Sequence, residues 1–239
     1  MTTLHAIAVI VDISKSRTHA DRSTLQTQIQ DAFGRVNEIL PGLQRLEPTF
    51  GDEFQAVYAD VPTALRATLL ARLQLPDGVD CRFGLGEGEL RTVGAGVAGA
   101  VQDGSAWWSA RRAIDEAREH QYSKLGFVRT WFRRDGSAGV GSGSGSGSGV
   151  AAGGAQRPSA HEALVNAYLL ARDQILATMT PRARRLLLGQ LRGATQAQLA
   201  AQEGITQSAV SQSLSRSGAN ALVAGEALLN DSLTPGGDR

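Results

Sequence analysis

The apolar positions of the first 134 residues follow two periods, one typical of strands and one of amphipathic helices. The run from His5 to Ile13 is continuously apolar and rich in β-branched residues, which predicts a strand covered on both faces of a sheet. From Asp21 to Leu40 apolar residues recur at i, i+4 and i+7, which predicts a helix ended by Pro41 and Gly42.

The same reasoning predicts strands at 43–50, 54–59, 80–86 and 127–132 and helices at 61–73 and 105–120, with a Gly-rich passage from 86 to 104. This order of elements predicts an α+β sandwich with a ferredoxin-like βαββαβ arrangement. Its helices are expected on one face of a mostly antiparallel sheet.

Residues 135–156 contain the repeat GSGSGSGSG and predict a flexible linker. We therefore expect two domains, residues 1–134 and 157–230, followed by a disordered tail at 231–239. In the second domain the helical period predicts helices from Ser159 to Met179, from Pro181 to Leu191 and from Ala219 to Leu229.

Residues 195–214, TQAQLAAQEGITQSAVSQSL, combine the features of a helix-turn-helix. The first helix, Gln196 to Glu203, would end at Gly204, where the backbone needs a positive φ. Ile205 would fill the space between the helices, and Thr206 would cap the second one. A plain helical hairpin is the alternative, but it does not require all of these features together.

The second helix would expose hydroxyl, amide and guanidinium groups, which bind base edges and phosphates in a major groove. The predicted DNA-binding residues are Thr206, Gln207, Ser208, Ser211, Gln212 and Arg216. Between Arg157 and Asp231 there are seven arginines, no lysine and five acids, so this region is mildly basic although the whole chain has a net charge of only +1. We expect double-stranded DNA as the partner and a homodimer on a palindromic target.

Composition also indicates the cellular compartment of the protein. The single cysteine, Cys81, excludes an internal disulfide framework and fits a reducing cytoplasm. The apolar run AIAVIV is too short to span a membrane and lacks a basic segment or cleavage site. The sequence therefore predicts a cytoplasmic protein without a membrane partner.

Two acids lie at predicted strand ends, where they can meet. Asp12 ends the first strand and Asp52 lies in the turn of the hairpin that follows, and two carboxylates at one sheet edge can share Mg²⁺. The neighbouring groups that would hold ligand phosphates belong to Ile13, Ser14, Lys15, Ser16, Arg17 and Gly51. Without a cation the two acids should repel, so replacing either should be neutral or slightly stabilising. The alternative is two turn acids that cap local N–H groups.

The ordered motifs DISKSR, GDEFQAVYAD, RFGLGEG and DGSAWWSARRAI, followed by the helix-turn-helix, resemble the SatD family, a cyclase-like group of bacterial proteins. The resemblance covers about residues 5–132 and the C-terminal domain. Asp12 and Asp52 are also similar to the metal aspartates of class III nucleotide cyclases and GGDEF diguanylate cyclases. The resemblance implies a nucleotide-cyclase-like fold with Mg²⁺ and a purine nucleotide or cyclic dinucleotide as ligands, and it adds Arg111 to the nucleotide site.

Two departures bear on activity. Phe50 replaces the first glycine of a GGDEF loop, and the helix that carries Arg111 offers no evident Asn for a cyclase transition state. We therefore expect a DNA-binding transcription regulator whose cyclase-like domain senses a nucleotide or nucleotide second messenger. An active nucleotidyl cyclase-type enzyme is one alternative, and a DNA-binding protein with a degenerate dimerisation domain is the other.

Overall fold

A computed structural model of the chain describes residues 3–14, 22–49, 52–96, 99–136 and 157–233. The predicted linker, residues 135–156, lies almost wholly outside these ranges, and it stays a prediction. The described residues form six strands and eight helices. None of these helices is long and apolar enough to cross a bilayer.

The strands are β1 (Thr3–Ile13), β2 (Gln44–Pro48), β3 (Glu53–Tyr58), β4 (Cys81–Gly96), β5 (Gly99–Asp103) and β6 (Thr130–Arg134). They form one sheet in the order β2-β3-β1-β4-β5, and β6 also pairs with β4. That last pair is parallel and the others are antiparallel, which confirms a mostly antiparallel sheet. Strand β1 is central and buried from Ala6 to Val11, as its continuous apolar run predicts.

Helices cover both faces of the sheet, whereas the order of elements in the sequence predicts them on one face. Helices α1 (Arg22–Ile39) and α2 (Val61–Gln74) pack on the face that includes Ile7 and Val9 of β1. Helix α3 (Ser105–Gln121) packs on the opposite face, against Ala8 and Ile10. The reason lies in β1 itself, because a strand that is apolar at odd and even positions needs cover on both sides.

Glycines at alternate positions of β4 allow α3 to lie directly on the strand. A Cβ on Gly84 would come within 2.4 Å of the Ala110 carbonyl oxygen, and one on Gly86 within 2.1 Å of the Ala106 carbonyl oxygen. These glycines also weaken the strand pattern. The strand predicted from the sequence therefore ends at residue 86, whereas β4 and β5 occupy most of the Gly-rich passage.

Five helices form the C-terminal region: α4 (Ala160–Thr178), α5 (Pro181–Leu191), α6 (Gln196–Glu203), α7 (Gln207–Arg216) and α8 (Ala219–Leu233). Helix α8 extends past residue 230, so residues 231–233 are helical and not part of a disordered tail. Leu229 packs against the hydrophobic core of the sheet and holds this end of the helix in place. Residues 234–239 lie outside the described ranges.

Helix α4 packs against the sheet. Val165 and Leu169 belong to the same hydrophobic core as Phe83 and Phe132. The Asn166 amide accepts from the Phe132 N–H and donates to the Phe132 carbonyl, both at 2.9 Å, so it pairs with β6 as a neighbouring strand would. The predicted domain boundary therefore does not divide this core.

A buried ion-pair cluster, formed by Arg72, Arg172 and Asp173, joins α2, α4 and β6. Arg172 and Asp173 are fully buried. The Asp173 carboxylate accepts from the Arg72 guanidinium and, at 2.7 Å each, from the backbone N–H groups of Arg129 and Thr130. Arg172 donates to the Thr130 hydroxyl at 2.6 Å. Buried charges of both signs thus have partners, and their contacts fix the C-terminal helices to the sheet.

Candidate functional site

The end of β1 carries a carboxylate that is held by two arginines. Arg82 of β4 lies opposite Asp12 in the sheet, with Nε 2.7 Å from Oδ1 and Nη2 3.2 Å from Oδ2. Arg118 of α3 donates to Oδ2 at 2.6 Å. Burial acts to lower the pKa of Arg82, but the hydrogen bond and charge of Asp12 outweigh it and the pKa is raised. The pair is therefore a fixed, charged contact.

Glu53, the first residue of β3, lies opposite Asp12 in the register of β1 and β3. Arg111 of α3 binds its carboxylate with two hydrogen bonds of 2.6 and 3.0 Å, which raise the pKa of Arg111. Two acids directly opposite in a sheet repel, and here three arginines offset that repulsion. We call Asp12, Glu53, Arg82, Arg111 and Arg118 the sheet-end cluster.

In the register of β1 and β3, Glu53 lies directly opposite Asp12, and Asp52 of the predicted pair is the residue before Glu53. Asp52 is an exposed turn residue. Side chains alternate along a strand, so a shift of one residue decides which acid shares a face with Asp12. Within the described ranges no group of three or more His, Cys, Asp or Glu side chains is placed to hold a metal. The two carboxylates of the cluster are engaged by arginines, and this donor set does not fit Mg²⁺.

Two of the predicted phosphate-binding residues, Ile13 and Ser14, are described. Ile13 is buried in the core beneath α1 and α2. The Ser14 N–H donates to the Asp80 carbonyl at 2.8 Å, and the Ser14 hydroxyl accepts from Gln121 at 2.9 Å. These Ser14 groups are already engaged within the protein. The other predicted phosphate ligands of this segment lie outside the described residues: Lys15, Ser16, Arg17 and Gly51.

An open cleft of ≈ 350 Å³ adjoins the cluster between the β2–β3 edge and α3. We call it the tryptophan–glutamine cleft, and its lining includes Gln44, Gln55, Gln102, Trp107, Trp108 and Arg111. Trp108 is 63% exposed. Among the described residues, the buried Trp107 Nε1 has no acceptor and the buried Gln102 Oε1 has no donor. An exposed indole beside an unpaired donor and an unpaired acceptor fits a flat heterocycle with a hydrogen-bonding edge.

Helices α6 and α7 form at the predicted residues. The Thr195 hydroxyl and the Gln198 side chain form a capping box at the start of α6, and the helix ends at Gly204 with a φ of 64°. Thr206 caps α7 by accepting from the Ala209 N–H at 3.2 Å. The predicted end of α6 at Gly204 and the predicted cap of α7 at Thr206 are therefore confirmed, and the capping box at Thr195 adds to them.

Helix α7 buries one side and exposes the other. Val210 and Leu214 are fully buried and share a core with Leu199 of α6. The side chains predicted to meet DNA are all exposed: Thr206, Gln207, Ser208, Ser211, Gln212 and Arg216. This face presents hydrogen-bonding groups and one cation, and no large apolar side chain.

Residues 6–135 match the family model described as the SatD family, and this segment is more than half of the 239 residues. The chain belongs to the SatD family. The matched segment contains the whole sheet-end cluster and ends before α4. A comparison with curated proteins found no match to the chain.

Solved structures similar to this SatD-family chain include three nucleotide cyclases. A bacterial light-regulated adenylyl cyclase is 16% identical, with 51% of this chain and 74% of that one covered and a TM-score of 0.43. The adenylyl cyclase CyaB from P. aeruginosa is 12% identical, with 47% and 73% covered and a TM-score of 0.37. The guanylyl cyclase Cya2 is 10% identical, with 48% and 71% covered and a TM-score of 0.38. At these sequence identities and TM-scores, the similarity to nucleotide cyclases assigns no activity to the chain.

The SatD-family match includes site residues that the sequence analysis missed. Arg82 is the one charge within the strand segment CRFGLG, and a charge in a buried strand requires a counter-charge. Arg118 follows Arg111 by seven residues, which places both on one side of α3. Both signals are present in the sequence, but neither identifies Asp12 or Glu53 as the partner.

Proposed function

We propose that this SatD-family chain is a DNA-binding transcription regulator, with α7 as its recognition helix. The observation that supports this most is the outward face of α7, where all six predicted DNA-contacting side chains are exposed together. Glutamine side chains such as Gln207 and Gln212 bind adenine edges with two hydrogen bonds, and Arg216 would bind a phosphate.

The first test uses the full chain and a duplex selected from a random library, with binding followed by fluorescence anisotropy at several salt concentrations. Replacing Gln207 and Gln212 together with Ala should cost about 1–3 kcal/mol per lost base contact on the selected duplex and little on random DNA. Arg216→Ala should weaken binding to both duplexes and lower the salt slope by about one. Asn220→Ala, an exposed amide on α8, is the control and should change neither.

If the double variant binds its selected duplex as tightly and selectively as the parent, α7 is not the recognition helix. The proposal also includes a homodimer on a palindromic site. Sedimentation that shows only monomers with and without the duplex would contradict that part.

The second part of the proposal is a purine nucleotide or cyclic dinucleotide in the tryptophan–glutamine cleft. The unpaired Trp107 and Gln102 atoms and the exposed Trp108 ring support a base there. Arg111 lines the cleft. Arg111 and Arg118 would each exchange their carboxylate partner for ligand phosphates. Because arginines meet the phosphate charge, this binding does not depend on Mg²⁺.

Calorimetric titration of ATP, GTP and cyclic dinucleotides, with and without Mg²⁺, tests this part. Trp108→Ala should weaken binding by about 1–3 kcal/mol, the range for loss of one stacked base. Leu164→Ala removes an exposed apolar side chain of α4 outside the cleft and should have no effect. Binding that requires Mg²⁺ and is lost in Asp12→Asn and Asp52→Asn would favour the predicted metal site instead.

The same samples distinguish the alternatives. A cyclic product released from ATP or GTP would favour the enzyme. DNA binding without any nucleotide binding would favour a sheet domain that serves only for dimerisation.

A further inference from the structure

A second cleft, of ≈ 310 Å³, lies between the C-terminal end of α2 and helix α5. Its walls include four arginines: Arg35, Arg184, Arg185 and Arg192. Asp77 is the one acid among its lining residues. We call it the arginine cleft, and its excess of positive charge distinguishes it from the tryptophan–glutamine cleft.

Three of these arginines, Arg35, Arg184 and Arg192, lack a carboxylate partner among the described residues, and Arg35 donates to the Gln74 amide. Within the part of the chain that the structure describes, neither Arg184 nor Arg192 forms an ion pair, and Arg184 donates instead to the Leu176 carbonyl at 3.0 Å. Burial, and after it the positive charge of Arg72, lowers the pKa of Arg184. An anion in the cleft would relieve this unfavourable charge.

A buried amide supplies an independent sign of a missing ligand. Gln74 lines the cleft and is only 8% exposed. Its Oε1 accepts from Arg35 Nε at 3.1 Å, which fixes the orientation of the amide. Its Nε2 is buried and has no acceptor among the described residues. Buried donors without an acceptor are rare in folded proteins, and an anion oxygen would provide one.

Arg185 connects the arginine cleft to helices α6 and α7. Arg185 holds Glu203 of α6 with two hydrogen bonds of 2.8 Å. Helix α5 therefore supplies arginines to the cleft and, through Arg185, also contacts α6. A ligand that attracts these arginines would act on the position of α6 and α7.

We propose that the arginine cleft binds a small phosphate-bearing molecule and that its occupancy is sensed by the α6–α7 pair. Guanidinium groups bind phosphate oxygens in a planar, paired geometry, and the cleft volume suits a compact ligand. The site is distinct from the nucleotide cleft proposed above and does not depend on it, whereas its effect on the α6–α7 pair rests on the proposed DNA binding. A phosphate could also come from a DNA backbone, but the Gln74 Nε2 that lacks an acceptor is buried, which favours a small molecule that can enter the cleft.

Pyrophosphate is the probe for this site. It is titrated into the full chain by calorimetry at constant ionic strength, and melting curves are recorded with and without it. Arg192→Gln, at an exposed position, should raise the dissociation constant roughly tenfold, and Arg184→Gln with Arg192→Gln should raise it further. Arg182→Gln is the matched control, because Arg182 is an exposed arginine of α5 outside the cleft, and it should leave the dissociation constant unchanged.

A parallel titration with a short DNA duplex separates the two sources of phosphate. The proposal predicts that pyrophosphate changes duplex affinity in the parent and not in the double variant. It is overturned if pyrophosphate neither binds nor raises the melting temperature of the parent, or if Arg192→Gln and Arg182→Gln respond alike. Loss of duplex binding in the cleft variants, with no pyrophosphate binding in the parent, would assign the arginines to the DNA backbone. Nucleotide binding at the tryptophan–glutamine cleft is measured independently and its failure leaves this result unaffected.

Discussion

Asp12 and Asp173 each lie between two arginines, yet the two sites differ in access and in their other partners. The Asp173 side chain is fully buried, whereas that of Asp12 is 15% exposed at the end of a strand. Asp173 also accepts from two backbone N–H groups, which are part of the fold itself. Asp12 is bound by the side chains of Arg82 and Arg118, and the Arg118 side chain is 47% exposed.

The comparison shows that one kind of ion pair has two uses. At Asp173 no water can replace a lost partner, so the pairing is a permanent part of the junction between α4 and the sheet. At Asp12 the exposed Arg118 can move to another anion at little cost. Accessibility, rather than the residue types, distinguishes the structural cluster from the candidate ligand site.

The largest effect is expected from breaking the buried cluster. Asp173→Asn removes the negative charge between Arg72 and Arg172 and leaves both cations buried, so it should lower the free energy of unfolding by about 3–5 kcal/mol. Urea unfolding of the full chain measures this. Asp103→Asn, which removes a half-exposed acid 3.9 Å from Arg91, should cost less than about 1 kcal/mol. Equal losses in the two variants would show that burial does not distinguish them.

A smaller effect is expected at the sheet end. Asp12→Asn leaves Arg82, whose side chain is 7% exposed, without its carboxylate and should cost about 1–3 kcal/mol in unfolding free energy. This reverses the expectation from the sequence, since the predicted repulsion between unpaired acids is replaced by pairing with arginines. Asp52→Asn, at the exposed turn, should stay within about 0.5 kcal/mol of the parent. An Asp12→Asn protein as stable as the parent would show that the pairing does not stabilise the fold.

The smallest effect is expected at Glu226, a buried acid that forms no ion pair with an arginine among the described residues. Glu226 is 2% exposed, and burial raises its pKa, although Arg172 and Arg66 partly oppose this. A raised pKa in the folded state means that its favourable contribution is present below the unfolded pKa and is lost as pH rises through the folded pKa. Glu226→Gln should therefore be more stable than the parent by about 1 kcal/mol at pH 7 and not at pH 4. Urea unfolding at the two pH values measures the difference, and a difference that does not change with pH contradicts the buried-acid interpretation.

The sequence predicts those elements whose signals are local. The cap at Thr206 and the αL glycine at 204 are side-chain and backbone preferences of single residues, and they correctly mark the end of α6 and the start of α7. The extent of β4 depends instead on its pairing with β1 and on the close approach of α3. Its glycines weaken the local signal at the positions where the tertiary contacts require them.

The candidate site shows the same limit. Asp12 is identified from the sequence because a polar residue ends an apolar strand. Its partners Arg82 and Arg118 lie 70 and 106 residues away, and strand register determines that Glu53 lies beside it. No local pattern encodes a register between distant strands, because it depends on the packing of the whole sheet.

Because α4 contributes Val165 and Leu169 to the core of the sheet, residues 3–136 and 157–233 are complementary fragments of one folding unit. Produced alone, the second fragment would expose the apolar side of α4, and the first would leave the Phe132 backbone without the Asn166 amide. Such pieces tend to aggregate when separate and to associate when mixed. We therefore expect a chain cut between them to hold together without a covalent bond.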